Sequence, residues 1–182
     1  SDLHGQFPYQ ASLRKSGRHF CGGSLIIERH IGTAAHWIHG IVSAPYNDFT
    51  VVTGTISNIN GGQSYCVAKA TVNPDFKPSS SESYRNDIAI VTLADTVKSN
   101  TYQKPISPAS SDPPVGATLI MSGWGRTSTN GNLPEILQTT NVYLMSNEEC
   151  QKRIPNYHIY NGQLCTFKRK GVGICMGFSG GR

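Results

Sequence analysis

Short runs rich in Val, Ile, Thr and Tyr recur along the whole chain, and turn residues bound them. Residues 10–13, 24–27, 49–52, 88–93, 118–122, 137–144 and 163–167 have this make-up, with turn signals at Asn60-Gly61-Gly62, Asn130-Gly131 and Asn161-Gly162. Helical periodicity is weak. The best helix start is Ser146-Asn147-Glu148-Glu149, a cap-like serine with acids in the first turn. A chain of short strands must close or cover the sheet edges it creates, so two barrels or a sandwich are predicted. A polar, proline-bearing stretch at 104–114 divides the strands into an all-β unit over 1–103 and a second over 115–182.

A length of 182 residues suits one large domain or two small ones. With 37% hydrophobic and only 15% charged residues, the chain has neither a disordered nor a coiled-coil composition. No apolar run approaches the length that spans a bilayer. No signal peptide is visible, and because the chain opens at Ser1 an upstream segment is expected. The net charge of +5 is dispersed, and its single tight cluster, Lys168-Arg169-Lys170, reads as a solvated loop. No aromatic residues interleave with a basic stripe, which argues against single-strand nucleic-acid binding. The five cysteines, Cys21, Cys66, Cys150, Cys165 and Cys175, include no C-x-x-C pair, so a zinc knuckle is not expected. In a secreted protein their odd number leaves at least one thiol without a partner in the chain.

Three segments carry chemistry: Thr33-Ala34-Ala35-His36, Asn86-Asp87-Ile88-Ala89-Ile90 and Gly177-Phe178-Ser179-Gly180-Gly181. Singly, each has a bland reading: a hydrogen-bonded structural histidine, a turn aspartate before a strand and a flexible glycine loop. Together they supply what an attacking hydroxyl needs. An imidazole removes its proton, a carboxylate fixes the imidazole's tautomer, and glycine-flanked backbone N–H groups face the developing oxyanion. The chain order His, Asp, Ser is one of the orders in which this triad occurs.

The sequence resembles the trypsin/chymotrypsin family of serine proteases. The matching landmarks are Phe7-Pro8-Tyr9-Gln10, Cys21-Gly22-Gly23-Ser24, Thr33-Ala34-Ala35-His36, Asn86-Asp87-Ile88-Ala89, Ser122-Gly123-Trp124-Gly125 and the run from Cys175 to Gly181. The run Gly171-Val172-Gly173-Ile174-Cys175-Met176-Gly177 is closest in character to arthropod chymotrypsin-like enzymes. The resemblance implies an all-β fold of two antiparallel six-stranded Greek-key barrels, the second incomplete in this chain. It implies that His36 is the general base, Asp87 its orienting acid and Ser179 the nucleophile, with the N–H groups of Gly177 and Ser179 as the oxyanion hole. The implied reaction is peptide-bond hydrolysis through an acyl-enzyme, with no cofactor and no metal. The implied setting is extracellular. The implied partners are polypeptide substrates and protein protease inhibitors, with no nucleic acid and no membrane, and a monomer is expected. By the same resemblance Gly173, Ile174 and Met176 belong to the substrate pocket. The position at the pocket base, an Asp in family members that select Lys or Arg, is Gly173. A pocket without a carboxylate cannot balance a buried cation, so an apolar or aromatic side chain is expected there.

The chain departs from the family's pattern in four places. Ser1 aligns just after the apolar amino terminus that family members expose on activation. Phe178 stands where the family has the Asp that pairs with that terminus, and Arg182 where it has Pro. The chain stops at Arg182, before several strands, one pocket wall and the terminal helix, so both ends are expected to be missing. Among the cysteines, Cys150 and Cys165 match a family disulfide. Cys175 matches one whose partner lies beyond Arg182, and Cys21 matches one whose partner position, just after the histidine, is Trp37. Cys66 has no counterpart. These departures keep a second expectation open, a non-catalytic homologue acting as a binding or regulatory module.

Overall fold

A computed structural model describes residues 3–128 and 130–168. Its first half is a closed barrel of six antiparallel strands: β1 (Gln10–Lys15), β2 (Arg18–Ile27), β3 (His30–Thr33), β4 (Phe49–Thr53), β5 (Gln63–Val72) and β6 (Ala89–Leu93). The order around the barrel is β1-β2-β3-β6-β5-β4, and the pairing of β1 with β4 closes it. Closure leaves no strand edge free to pair with another chain.

Strand alternation explains the interior. In β6, Ala89, Val91 and Leu93 point inward and are buried, while Ile90 and Thr92 are half-buried. Ala11, Leu13, Leu25, Ile31, Phe49 and Val51 join them in one core cluster. β3 and β5 were not among the predicted strands. β3 is four residues long and contains Gly32. β5 carries Gln63, Ser64 and Lys69 and buries only Tyr65 and Val67, so its apolar signal is diluted. The turn between β4 and β5 demands glycine: at Gly62 φ is +71°, and a Cβ would lie 2.4 Å from the Thr53 carbonyl oxygen.

Residues 104–114 contain no strand and lie along the barrel, where the backbone N–H groups of Lys104 and Ile106 donate to the Pro8 and Leu25 carbonyls, each at 2.9 Å. Beyond them come β7 (Thr118–Gly123), β8 (Gln138–Met145), helix α1 (Asn147–Arg153) and β9 (Cys165–Phe167). The sheet order is β7-β8-β9. α1 starts where predicted, with the Ser146 hydroxyl accepting from the Glu149 N–H at 3.2 Å. The Cys150–Cys165 disulfide ties α1 to β9. This sheet is covered less well than the barrel: Ile120 is 54% and Leu164 52% exposed.

β1 is buried on both faces, and this joins the two halves. Its inner face gives Ala11 and Leu13 to the barrel core. Its outer face, Gln10, Ser12 and Arg14, is polar yet also buried. The Ser122 hydroxyl donates to Gln10 Oε1 at 2.7 Å. The Arg14 guanidinium donates to Ser12 Oγ at 3.1 Å and to the Ser57 carbonyl at 3.3 Å. Ser12 Oγ lies 2.8 Å from His19 Nδ1, and the His19 ring packs edge-on against buried Trp124, whose indole N–H donates to the Ile56 carbonyl. Burial, with Arg14 adding to it, pushes the His19 imidazole down to about 4.

Candidate active site

The site is assembled by the pairing of β3 with β6. Gly32 lies opposite Ile90 and Thr33 opposite Ala89, so the residues just past the end of β3 meet those just before the start of β6. The chain leaves β3 into a single 3-10 turn, Ala35–Trp37, anchored beneath by the buried side chains of Ala35 and Ile38. On the other side Asn86 takes φ +59°, a left-handed conformation that Asn tolerates better than most residues. Its amide donates to the Asp75 carbonyl, which fixes the bend presenting Asp87.

His36 and Asp87 meet at two points. The backbone N–H of His36 donates to Asp87 Oδ1 at 2.8 Å, and Nδ1 lies 2.6 Å from Oδ2. An ionised carboxylate only accepts, so Nδ1 carries the proton. Nε2 is left with its lone pair and can take a proton from a hydroxyl. The two side chains are 32% and 26% exposed.

Aromatic groups surround the pair. The Trp37 ring lies 5.1 Å from that of His36. Behind Asp87 opens a cleft of about 810 Å³ lined in part by Tyr84, Arg85, Ile88, His158 and Tyr160. In it the Arg85 guanidinium sits 4.8 Å over the Tyr160 ring and pairs with Glu82 at 3.1 Å. The Tyr157 phenol, from the loop after α1, is pushed up by burial first, then by Tyr84 and Asp87. Trp37 stood out in the sequence only as the residue at a missing cysteine position, and no motif marked Tyr157, since an aromatic residue in a loop carries no periodicity.

Of the predicted site residues, the structure brings together His36 and Asp87, distant in sequence, and bridges Cys150 to Cys165. Ser179, Gly177, Gly173, Ile174 and Met176 lie outside the described residues. Cys21 is buried and Cys66 exposed, both as free thiols. Cys21 Sγ lies 3.9 Å from Thr33 Oγ1, and burial pushes its thiol up to about 12. Among the described residues, no group of three or more His, Cys, Asp or Glu is placed to hold a metal ion.

Comparison with known proteins places this geometry. The family model "Trypsin" matches residues 1–181. Trypsin II-P29 of Gallus gallus is 35% identical over 176 residues, covering 96% of this chain and 67% of its own length. Serine protease SP24D of Anopheles gambiae is 32% identical over 178 residues, covering 97% of this chain and 62% of its own length. Among solved structures, neuropsin, a serine protease expressed in the limbic system of mouse brain, superposes with a TM-score of 0.86 at 29% identity, over 99% of this chain and 78% of that one. With one closed barrel, a second antiparallel sheet and a His–Asp pair at the end of β3, this chain belongs to the trypsin family of serine proteases.

Proposed function

We propose that this protein is a secreted serine-type endopeptidase that hydrolyses peptide bonds after apolar or aromatic residues. The observation that carries the reading is the two-point contact of His36 with one carboxylate. It prevents the imidazole from rotating and holds the proton on Nδ1, so Nε2 can act as general base. Ser179 is the nucleophile. Its hydroxyl proton passes to Nε2 as Oγ attacks the substrate carbonyl, and the Gly177 and Ser179 N–H groups receive the oxyanion. The imidazolium, steadied by Asp87, then protonates the leaving amine. Water repeats the cycle to release the acyl group. By the family's pattern Gly173, Ile174 and Met176 belong to the substrate pocket, and a glycine at the position of its base brings no carboxylate, which favours uncharged side chains. Polypeptides are the substrates and protein inhibitors the natural antagonists of a monomer divided at 104–114. The Cys150–Cys165 bridge fits an oxidising, extracellular setting.

Phe178 favours a second reading, a non-catalytic homologue acting as a binding or regulatory module. A phenyl ring cannot make the ion pair that the family's Asp makes beside the oxyanion hole. A fluorophosphonate probe separates the two. Labelling of Ser179 that disappears in His36→Ala is the expected result, and absence of labelling in the unsubstituted protein would overturn the enzymatic reading. A fluorogenic peptide panel then checks the pocket, where cleavage after Lys or Arg would contradict the assignment of Gly173.

A further inference from the structure

The His36 turn is held from beneath by Ala35 and Ile38 and by the bond of the His36 N–H to Asp87, but its outer side has few ties of its own. It is one 3-10 turn of three residues, has no side-chain cap, and its first backbone bond, Trp37 N–H to the Ala34 carbonyl, is 3.3 Å long. Short 3-10 segments have poor hydrogen-bond geometry and depend on their packing. A covalent tie to the neighbouring strand is lacking, because Cys21 on β2 is a free thiol. The largest group on the turn is Trp37. Its ring lies 5.1 Å from His36 on one side and 6.5 Å, edge-on, from Phe20 of β2 on the other. Phe20 in turn lies 5.8 Å from Phe49, which is 1% exposed in the barrel core. The rings therefore form a continuous ladder from the barrel interior to the imidazole, at separations typical of favourable aromatic pairs. The Trp37 indole N–H is buried without a hydrogen-bond partner among the described residues. Among the described residues, ring contacts and apolar packing alone therefore set where this side chain sits.

We propose that Trp37 is a positioning residue for His36: through the Phe20–Trp37–His36 ladder it clamps the 3-10 turn to β2 and keeps Nδ1 on Asp87. The inference rests on the reading of His36 as general base. It adds that the catalytic geometry of this chain depends on an aromatic side chain placed directly after the histidine. Trp37 touches neither substrate nor reacting atoms in this account. Its effect passes entirely through the imidazole, so it should appear in the rate of proton transfer and leave substrate affinity unaffected.

The test uses the full chain with Trp37→Leu and Trp37→Phe, and two readouts. One is the rate of Ser179 labelling by a fluorophosphonate across pH. The other is the proton resonance of His36 Nδ1–H, which reports the imidazole–carboxylate bond whether or not catalysis occurs. Leu keeps apolar bulk but removes the ring. It should broaden or abolish the resonance and slow labelling about ten- to a hundred-fold, the scale of an ångström-sized misplacement, while KM for a peptide substrate stays within a few-fold. Phe should keep the resonance and most of the rate. A wild-type resonance and rate in Trp37→Leu would overturn the proposal, and so would equal loss in Trp37→Phe. If Trp37→Leu fails to fold by circular dichroism, Phe20→Leu decides: an unchanged resonance and rate refute the ladder. Should the unsubstituted protein not label at all, the catalytic reading fails, and the resonance alone then decides whether Trp37 holds His36 on Asp87.

Discussion

Two histidines of the same barrel have opposite chemistry, and the difference lies in their partners. His36 stands at the mouth of the site, a third exposed, with both Nδ1 and its backbone N–H on the carboxylate of Asp87. His19 lies under the second sheet, against a hydroxyl, and beyond that hydroxyl is a guanidinium. Arg14 can only donate. Ser12 Oγ accepts from it and has its own hydrogen free to give to His19 Nδ1. When that hydrogen is given to Nδ1, the neutral His19 ring carries its proton on Nε2, the reverse of His36. A carboxylate partner yields an imidazole able to accept a proton at its outer nitrogen and tolerate the resulting charge. A cation beyond a hydroxyl, with burial, keeps the ring neutral; the imidazole is pushed down to about 4. One residue type therefore meets the needs of the proposed general base at the rim and of a neutral structural group at the joint.

The sharpest way to break this contrast is Asp87→Asn. The Asn carbonyl oxygen can still accept the His36 backbone N–H, but its amide then turns N–H groups toward Nδ1. The ring answers by moving its proton to Nε2 and can no longer take the proton that the proposed mechanism passes from Ser179. A loss of about 10⁴-fold in kcat follows from a tautomer switch of this kind. The melting temperature should change little, since both hydrogen bonds persist in neutral form. Peptide hydrolysis and calorimetry on the same variant check the two halves of the statement. Loss below ten-fold would mean that Asp87 does not set the tautomer.

The second expectation concerns pH. The unfolded His19 titrates near its ordinary value of about 6.5, and the folded one near 4. Between these values the unfolded chain binds a proton that the folded chain refuses. The stabilisation from a neutral His19 is therefore complete above pH ~6.5, falls as pH drops, and is exhausted near pH 4, for a total of about 3 kcal/mol. Calorimetric melts from pH 7 to 4 should show the decline, and His19→Gln should flatten it. An equally steep decline in that variant would place the titration on another group.

How much of this was legible in the sequence depends on whether the signal was local. Thr33-Ala34-Ala35-His36 and Asn86-Asp87-Ile88-Ala89 marked both members of the rim pair, because each is a fixed pattern at a strand end. The runs at 10–13, 49–52 and 88–93, read from their make-up and bounding turns, fall on β1, β4 and β6, and Ser146 announced α1. β3 and β5 escaped because a four-residue strand containing Gly32 and a strand with one face in water carry too few apolar residues to stand out. The joint was illegible for a deeper reason. Gln10, Ser12 and Arg14 occupy the alternate positions of β1, which in an isolated barrel would face solvent. They are buried because Ser122 of β7 and Trp124 just after it, more than a hundred residues away in sequence, pack at this joint together with the Ser57 and Ile59 carbonyls that take the Arg14 guanidinium. No window of sequence contains that fact.

The smallest effect expected is also the most discriminating. Ser12→Ala removes the hydroxyl through which Arg14 and His19 communicate, leaving the guanidinium Nε–H and the imidazole Nδ1 without that partner in a buried layer. Unsatisfied buried polar groups of this kind cost about 2 kcal/mol, so the melting temperature should drop. Without the Ser12 hydroxyl the His19 ring loses its Nδ1 partner, and its tautomer balance, read from ¹⁵N spectra of the ring, should shift. The rim pair shares none of these groups, so the rate of Ser179 labelling should match that of the unsubstituted protein. Asp87→Asn and Ser12→Ala then form a crossed pair, one losing rate and keeping stability, the other losing stability and keeping rate. A Ser12→Ala protein that folds but labels slowly would show that the joint and the rim are one coupled network, and the separation of the two histidines into structural and chemical roles would be wrong.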